Sequence, residues 1–208
     1  MVELALVKKR QVVSPNLRKR LANRIMKEND VTEEMVDLIL KKSNNPQNVI
    51  DIGCGDGDLL IKFRKRGLEV TGLDGSEVAL DKAKSIFADL KLRADFIKAD
   101  FNTSDFISSI NNKPFDLVVI RLSFAFVDDK DSFCESVKKI LSPNGTFVCS
   151  TPILLEGEDY DDRQNRISVS ENKIENILNS HFNSVSILVN DESNRPNWPL
   201  RTYLCKLD

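Results

Sequence analysis

Three glycines at alternate positions, Gly53, Gly55 and Gly57, follow Asp51 and precede Asp58 in the run Asp51-Ile52-Gly53-Cys54-Gly55-Asp56-Gly57-Asp58. Glycine lacks a Cβ and tolerates positive φ, so backbone amides in such a loop can approach a ligand closely. An amide-lined turn at a helix N-terminus favours an anionic group such as a carboxylate. Two nucleotide-type cofactors suit a loop of this kind. A dinucleotide loop places its third glycine where this chain has Asp58, and a carboxylate there repels a pyrophosphate. NAD is therefore disfavoured, and the acids around the glycines suit a ligand with an ammonium and a sulfonium. Asp74, about 20 residues beyond the loop, is placed to accept hydrogen bonds from both hydroxyls of a ribose. Asp74 with Glu77 is also the pattern of a helix capping box, and Asp100 can cap the helix after it. Three acids in register with a glycine loop favour the ligand reading.

The elements that must position these residues alternate between β-rich and helical patterns from residue 48 onward. Strands are expected at Asn48–Ile52, Glu69–Asp74, Ala94–Lys98, Phe115–Ile120 and Thr146–Ser150. The helices between them carry apolar residues at 3–4 spacing, as in Ala79, Ala83, Ile86, Phe87 and Leu90. Five such alternations imply a doubly wound α/β fold, a mostly parallel sheet with helices on both faces. In an open sheet of this class the ligand lies at the carboxyl ends of the strands, which is where Gly53, Asp74, Asp100 and Arg121 fall. A polar loop then runs to about Ser170, a helix carries Ile174, Ile177 and Leu178, and strands at Val185–Val189 and Leu200–Lys206 close the chain. Two amphipathic helices precede the sheet, Asn16–Lys27 and Thr32–Lys42. The chain reads as one domain: an N-terminal helical lid (1–45), a cofactor-binding core (46–152), and a substrate loop, helix and closing antiparallel strands (153–208).

Composition narrows the function. The 208 residues are 41% hydrophobic, enough for one sizeable core, and 30 basic against 32 acidic residues give no domain-wide pull toward nucleic acid or membrane. No apolar run approaches the roughly 20 residues of a membrane span. Met1–Val7 is a short stretch that is apolar apart from Glu3, and Lys8-Lys9-Arg10 follows, the reverse of a secretory signal, so a cytoplasmic location is expected. Cys54, Cys134, Cys149 and Cys205 are scattered without a Cys-x-x-Cys pair and read as reduced thiols. His181 is the only histidine, which excludes a histidine metal cage and leaves no metal expected. It reads as structural near a helix C-terminus, or as a catalytic base.

At Asp51, Gly53, Cys54, Gly55, Asp74, Asp100 and Phe101 the chain resembles the class I S-adenosylmethionine-dependent methyltransferases, in their small-molecule branch. The resemblance covers residues 45–152 well and the last 38 residues by pattern. It implies a Rossmann-like sheet of seven strands with an antiparallel last strand, and S-adenosylmethionine as cofactor. The loop matching Asp51, Gly53, Cys54 and Gly55 would cradle the methionine part, Asp74 the ribose, and Asp100 the adenine amino group with Phe101 beside the ring. A backbone carbonyl near Arg121 would meet the ammonium. Gly75 stands where the family carries a large apolar residue on adenine, a contact that Phe101 or an N-terminal helix would replace. After the fourth strand, Arg121-Leu122-Ser123-Phe124 replaces the Asn/Asp-Pro-Pro-aromatic signature of exocyclic-amine methylation.

The resemblance implies methylation of a small-molecule acceptor by in-line transfer. Ser123, Tyr160, Arg163 and Trp198 are the candidates for acceptor contact, and the last three read equally as surface residues. The basic excess over residues 8–27 favours an anionic acceptor. It is also the only feature supporting an RNA or protein acceptor, and as a charge run it can simply be a solvated face. A cofactor-binding partner without catalysis is the alternative from another class. No catalytic residue or oligomeric state is legible.

Overall fold

A computed structural model of the chain describes residues 33–103, 106–111, 113–191 and 199–207. Helix α1 (Glu33–Lys42) leads into β1 (Asn48–Ile52), α2 (Asp58–Lys65), β2 (Glu69–Asp74), α3 (Glu77–Asp89) and β3 (Asp95–Lys98). A short helix α4 (Phe106–Ser109), β4 (Phe115–Arg121), a 3-10 turn (Phe124–Phe126), α5 (Lys130–Ile140) and β5 (Leu141–Leu154) follow. Helix α6 (Asp162–Ile167), β6 (Val169–Ser170), α7 (Glu171–His181), β7 (Ser184–Asp191) and β8 (Leu200–Lys206) complete the described chain. The sheet runs β3-β2-β1-β4-β5-β8-β7, with the two-residue β6 paired beside β5. All pairs from β3 to β5 are parallel, and β8 is antiparallel to both β5 and β7.

Strand alternation builds two cores, because successive side chains point to opposite faces. Ile50, Ile52, Val118, Ile120 and Phe147 meet Phe133 and Val137 of α5 and Ile174 and Leu178 of α7. On the other face Val49, Leu117, Val119 and Val148 meet Ile39 of α1, Leu60 and Phe63 of α2 and Phe87 of α3. From β1 the chain builds outward through β2 and β3 on one side, then returns to place β4 and β5 on the other. That reversal opens a crevice at the carboxyl ends of β1 and β4.

Helix α1 buries Val36 and Ile39 on the sheet face. Its start is fixed by Arg66, which donates from Nε to Asp37 at 2.5 Å and from Nη1 to Glu33 at 2.7 Å. Since Arg66 follows the last residue of α2, and Ser43–Gln47 lead from α1 to the start of β1, this helix lies against the face and not above the carboxyl edge. The expected helix Asn16–Lys27 lies outside the described residues.

Two segments differ from expectation. Strand β5 starts at Leu141, so the turn Pro143-Asn144-Gly145 is an irregularity inside it, where the β4 register jumps from Phe115↔Leu141 to Leu117↔Thr146. A Cβ on Gly145 would lie 2.8 Å from the Ser142 carbonyl oxygen, so only glycine fits that kink. The expected polar loop after β5 contains α6 and β6. Asp161 accepts the Gln164 N–H while Gln164 Oε1 accepts the Asp161 N–H, a capping box hidden within an acidic run.

Candidate functional site

The glycine loop leaves β1 at the crevice, and each glycine there has its own reason. Gly53 has φ +79°, and a Cβ on it would sit 2.5 Å from Ser123 Oγ. Gly55 has φ +57° with open space around its missing Cβ, whereas a Cβ on Gly57 would press on the Phe87 ring at 3.1 Å. The loop is stitched to β2: the Gly53 and Cys54 amides donate to the Leu73 carbonyl at 2.7 and 3.1 Å. Cys54 is buried, and burial with the neighbouring Asp51 charge pushes its thiol well above the usual range. Its place is that of a small residue in a tight turn.

Asp74 completes the stitching. Its Oδ2 accepts the Gly55 N–H at 2.9 Å and its Oδ1 the Ser76 N–H at 2.7 Å. The capping-box alternative does not hold: Ser76 caps α3 by accepting the Ala79 N–H at 3.3 Å, and Glu77 pairs with Lys98 Nζ at 2.7 Å. Each carboxylate oxygen of Asp74 retains acceptor capacity for a ligand hydroxyl. A Cβ on Gly75 would meet only the Ala99 carbonyl oxygen at 3.7 Å, so the fold leaves room there for a larger residue.

Asp51 is 3% exposed, and its Oδ1 is buried without a hydrogen-bond partner. Burial raises its pKa to about 7, against the pull of the Arg121 guanidinium and with a contribution from the Asp74 charge. In the β1–β4 register Asp51 faces Val119, two residues before Arg121, so the acid and the base share a sheet face. A buried carboxylate lacking a full set of donors is costly unless a cation or donor reaches it.

The other two loops close the crevice. Asp100 is exposed and accepts the Asn102 N–H at 2.9 Å, while its carbonyl accepts from Thr103 Oγ1 at 2.9 Å. Phe101 is half-buried, edge-on to Phe133 at 6.2 Å between ring centres, with Cε1 3.8 Å from the position of a Gly53 Cβ. Leu122, just past β4, has φ +57°, unusual for a bulky side chain, yet is buried and donates its N–H to the Ser150 carbonyl at 2.8 Å. This sharp turn swings Ser123 back against Gly53, with its Oγ donating to the Arg121 carbonyl at 3.3 Å. Asp51, Asp74 and Arg121 therefore lie at the carboxyl ends of β1, β2 and β4, and Gly53, Cys54, Gly55, Gly75, Asp100, Phe101 and Ser123 lie on the loops that leave β1 to β4 along the same edge.

The remaining acceptor candidates divide. The Tyr160 hydroxyl accepts the Leu155 N–H at 2.9 Å, which closes the loop between them. Arg163 lies one turn before Ile167 on α6, and Ile167 packs with Leu122, Phe126 and Leu200, so Arg163 shares the face turned toward the β4 loop. Trp198 lies outside the described residues. His181 places its two ring nitrogens 2.9 Å from Asp131 and 2.9 Å from Glu135, pinning α7 to α5. The left-handed turn at Leu122 and the bonding of Asn102 are not legible in the sequence. A left-handed leucine carries no residue-type signal, and the Asn102 side chain bonds to backbone groups about 25 residues away. No cluster of metal-ligating side chains occurs among the described residues. No described helix is long and apolar enough to cross a membrane. A groove of about 690 Å³ between Arg64, Phe87, Arg93 and Phe96 lies at the amino edge of the sheet, away from this crevice.

A glycine loop, a β2 carboxylate and a β3 carboxylate at one switch point define a nucleotide-cofactor α/β domain with the topology of the class I S-adenosylmethionine-dependent methyltransferases. The chain belongs to the methyltransferase domain family, whose model matches residues 43–186. It is 30% identical over 121 residues to a ubiquinone biosynthesis O-methyltransferase of Actinobacillus pleuropneumoniae, covering 56% of this chain and 51% of that protein. It is 28% identical over 130 residues to a carboxy-S-adenosyl-L-methionine synthase of Nitratiruptor, covering 60% and 52%. The chain spans about half the length of these curated relatives. In structure it is similar to the plantazolicin methyltransferase BpumL, crystallised with a triazolic desmethylPZN analog and SAH. The TM-score is 0.67 at 16% identity, covering 94% of this chain and 92% of that one.

Proposed function

We propose that the protein transfers a methyl group from S-adenosylmethionine to a small-molecule acceptor. The observation that carries this reading is the unpartnered buried Oδ1 of Asp51 beneath a loop of left-handed glycines. A ligand ammonium there would supply the missing partner, the space where a Gly55 side chain would stand is open, and Asp74 retains acceptor capacity for ribose hydroxyls. The residues present fit the cofactor. When bound, S-adenosylmethionine supplies an electrophilic methyl on a sulfonium, so the chain's own work is to bind, orient and exclude water. Asp51 and the glycine loop would hold the methionine end, Asp74 the ribose, and Asp100 with Phe101 the adenine side. No general base is assigned, because an acceptor that is already ionised needs none.

The small-molecule assignment is supported by the relatives' names, which place their own reactions in ubiquinone and S-adenosylmethionine chemistry. An anionic acceptor is favoured by Arg163 on the face toward the β4 loop and by the basic residues between Lys8 and Lys27. Four free thiols fit a reducing compartment, the cytoplasm. Calorimetry tests the cofactor directly: the protein is expected to bind S-adenosylhomocysteine and not NAD, and the reverse result would end this reading.

A further inference from the structure

Asn102 uses both ends of its side-chain amide to join two loops that the sheet leaves separate. Its backbone N–H donates to Asp100 Oδ1 at 2.9 Å. Its side-chain Nδ2 donates to the Phe126 carbonyl at 3.1 Å, and its Oδ1 accepts the Asp128 N–H at 2.8 Å. One amide thus lies against the chain from Phe126 to Asp128 as a strand partner would, with a donor and an acceptor both matched. The 3-10 turn it grips is the one that follows Ser123, the residue seated on Gly53. From the other side Lys130 Nζ donates to the Val127 carbonyl at 2.7 Å and lies 5.5 Å from the centre of the Phe124 ring. Phe126 also joins the apolar cluster of Leu122, Ile167 and Leu200 beneath α6. Asn102 therefore closes a ring: Asp100 and Phe101 after β3, the turn after β4, Ser123, and back to the glycine loop.

We propose that Asn102 is the positioning residue that sets the separation between the β3 loop and the β4 loop, and so fixes the half of the crevice that receives the nucleoside. This rests on the cofactor reading above. Without the Asn102 amide, the Phe126 carbonyl and Asp128 N–H turn to solvent, and Asp100 and Phe101 lose their lateral brace. The glycine loop and Asp74 keep all their own hydrogen bonds, since none of them involves Asn102. The loss therefore falls on recognition of the adenosine part and not on the methionine part.

Calorimetry with S-adenosylhomocysteine and with 5′-methylthioadenosine, which carries the adenosine but no amino-acid group, reads this difference. Asn102→Ala is expected to weaken both ligands by the same factor, about tenfold, with a melting temperature within a few degrees of the wild type. Asn102→Asp keeps the acceptor for the Asp128 N–H but sets a carboxylate oxygen against the Phe126 carbonyl, and is expected to lose at least as much. Unchanged affinity in both variants would overturn the proposal. So would weakened binding of S-adenosylhomocysteine alone, or loss of binding only together with the folded circular-dichroism signature. A wild-type protein that binds neither ligand would instead overturn the cofactor reading itself, before any variant is compared.

Discussion

Asp51 joins burial to titration and gives the site its clearest signature. Its carboxyl is raised to about 7 in the fold, above the unfolded value near 3.9, so the folded state holds a proton that the unfolded chain releases first. The stability this contributes is complete below about pH 4 and is lost as pH rises through 7. The ligand-free protein is expected to lose on the order of 4 kcal/mol across that window from this group alone, and Asp51→Asn to flatten the dependence of melting temperature on pH. A ligand ammonium favours the ionised form, so binding S-adenosylhomocysteine at pH 6 should expel close to one proton. Calorimetry in two buffers of different ionisation enthalpy measures it, and Asp51→Asn should abolish it. Asp74→Ala is expected to weaken the same ligand roughly tenfold to a hundredfold, since hydrogen bonds to a charged group are worth about 1.5–3 kcal/mol. Gly53→Ala brings a Cβ to 2.5 Å from Ser123 Oγ at a left-handed position, at a cost on the order of 1–3 kcal/mol. The double variant Gly53→Ala/Ser123→Gly removes the collision but not the φ strain, so thermal melts should recover only part of the loss. Full recovery would show that the collision alone matters.

Among the elements, what could be read from the sequence was what local periodicity specifies. The strands at Asn48–Ile52, Glu69–Asp74 and Phe115–Ile120 carry buried runs between turn residues, while β3 is only partly buried, and the carboxyl ends of the first three strands gave the positions of Asp51, Asp74 and Asp100 directly. The extension of β5 back to Leu141 was not legible, because Pro143-Asn144-Gly145 reads as a turn even when the flanking residues still pair with β4. Helix α6 was hidden because Asp161 belongs to the carboxylate-rich run Glu156–Asp162, with Gln164 two residues beyond it, and that charge masks a capping pattern. The bond network of Asn102 and the left-handed turn at Leu122 depend on contacts between loops distant in sequence, which no local pattern encodes. Of the lid expected over residues 1–45, α1 lies on the sheet face, so the expectation is carried by residues 1–30 alone. Deleting residues 1–30 is expected to leave the sheet folded and S-adenosylhomocysteine binding within severalfold, while abolishing transfer by opening the acceptor side to water. Unchanged turnover after the deletion would refute a lid. Salt-sensitive RNA binding that disappears with the segment would assign it to phosphate contacts instead.

Over the whole molecule, the two cores on opposite faces of the sheet are reported by different cysteines. Cys134, Cys149 and Cys205 are buried in the core beneath α5 and α7, and Cys54 lies in the other, at the glycine loop. Burial raises all four thiols, Cys134 to about 12, so reaction with a thiol reagent requires opening. Cys54 is expected to label first, through local opening of its loop, and S-adenosylhomocysteine to slow that labelling more than it slows the other three. Equal protection of all four would place the ligand's effect on global unfolding alone. The central claim, a cofactor crevice that serves methylation of a small molecule, is tested most directly by incubating the protein and its Asp74→Ala variant with methyl-labelled S-adenosylmethionine and a metabolite extract. The expected result is label appearing in the small-molecule fraction with the wild type and falling at least tenfold with the variant at limiting cofactor. Label recovered in RNA or protein, or a small-molecule product formed equally by both proteins, would contradict it.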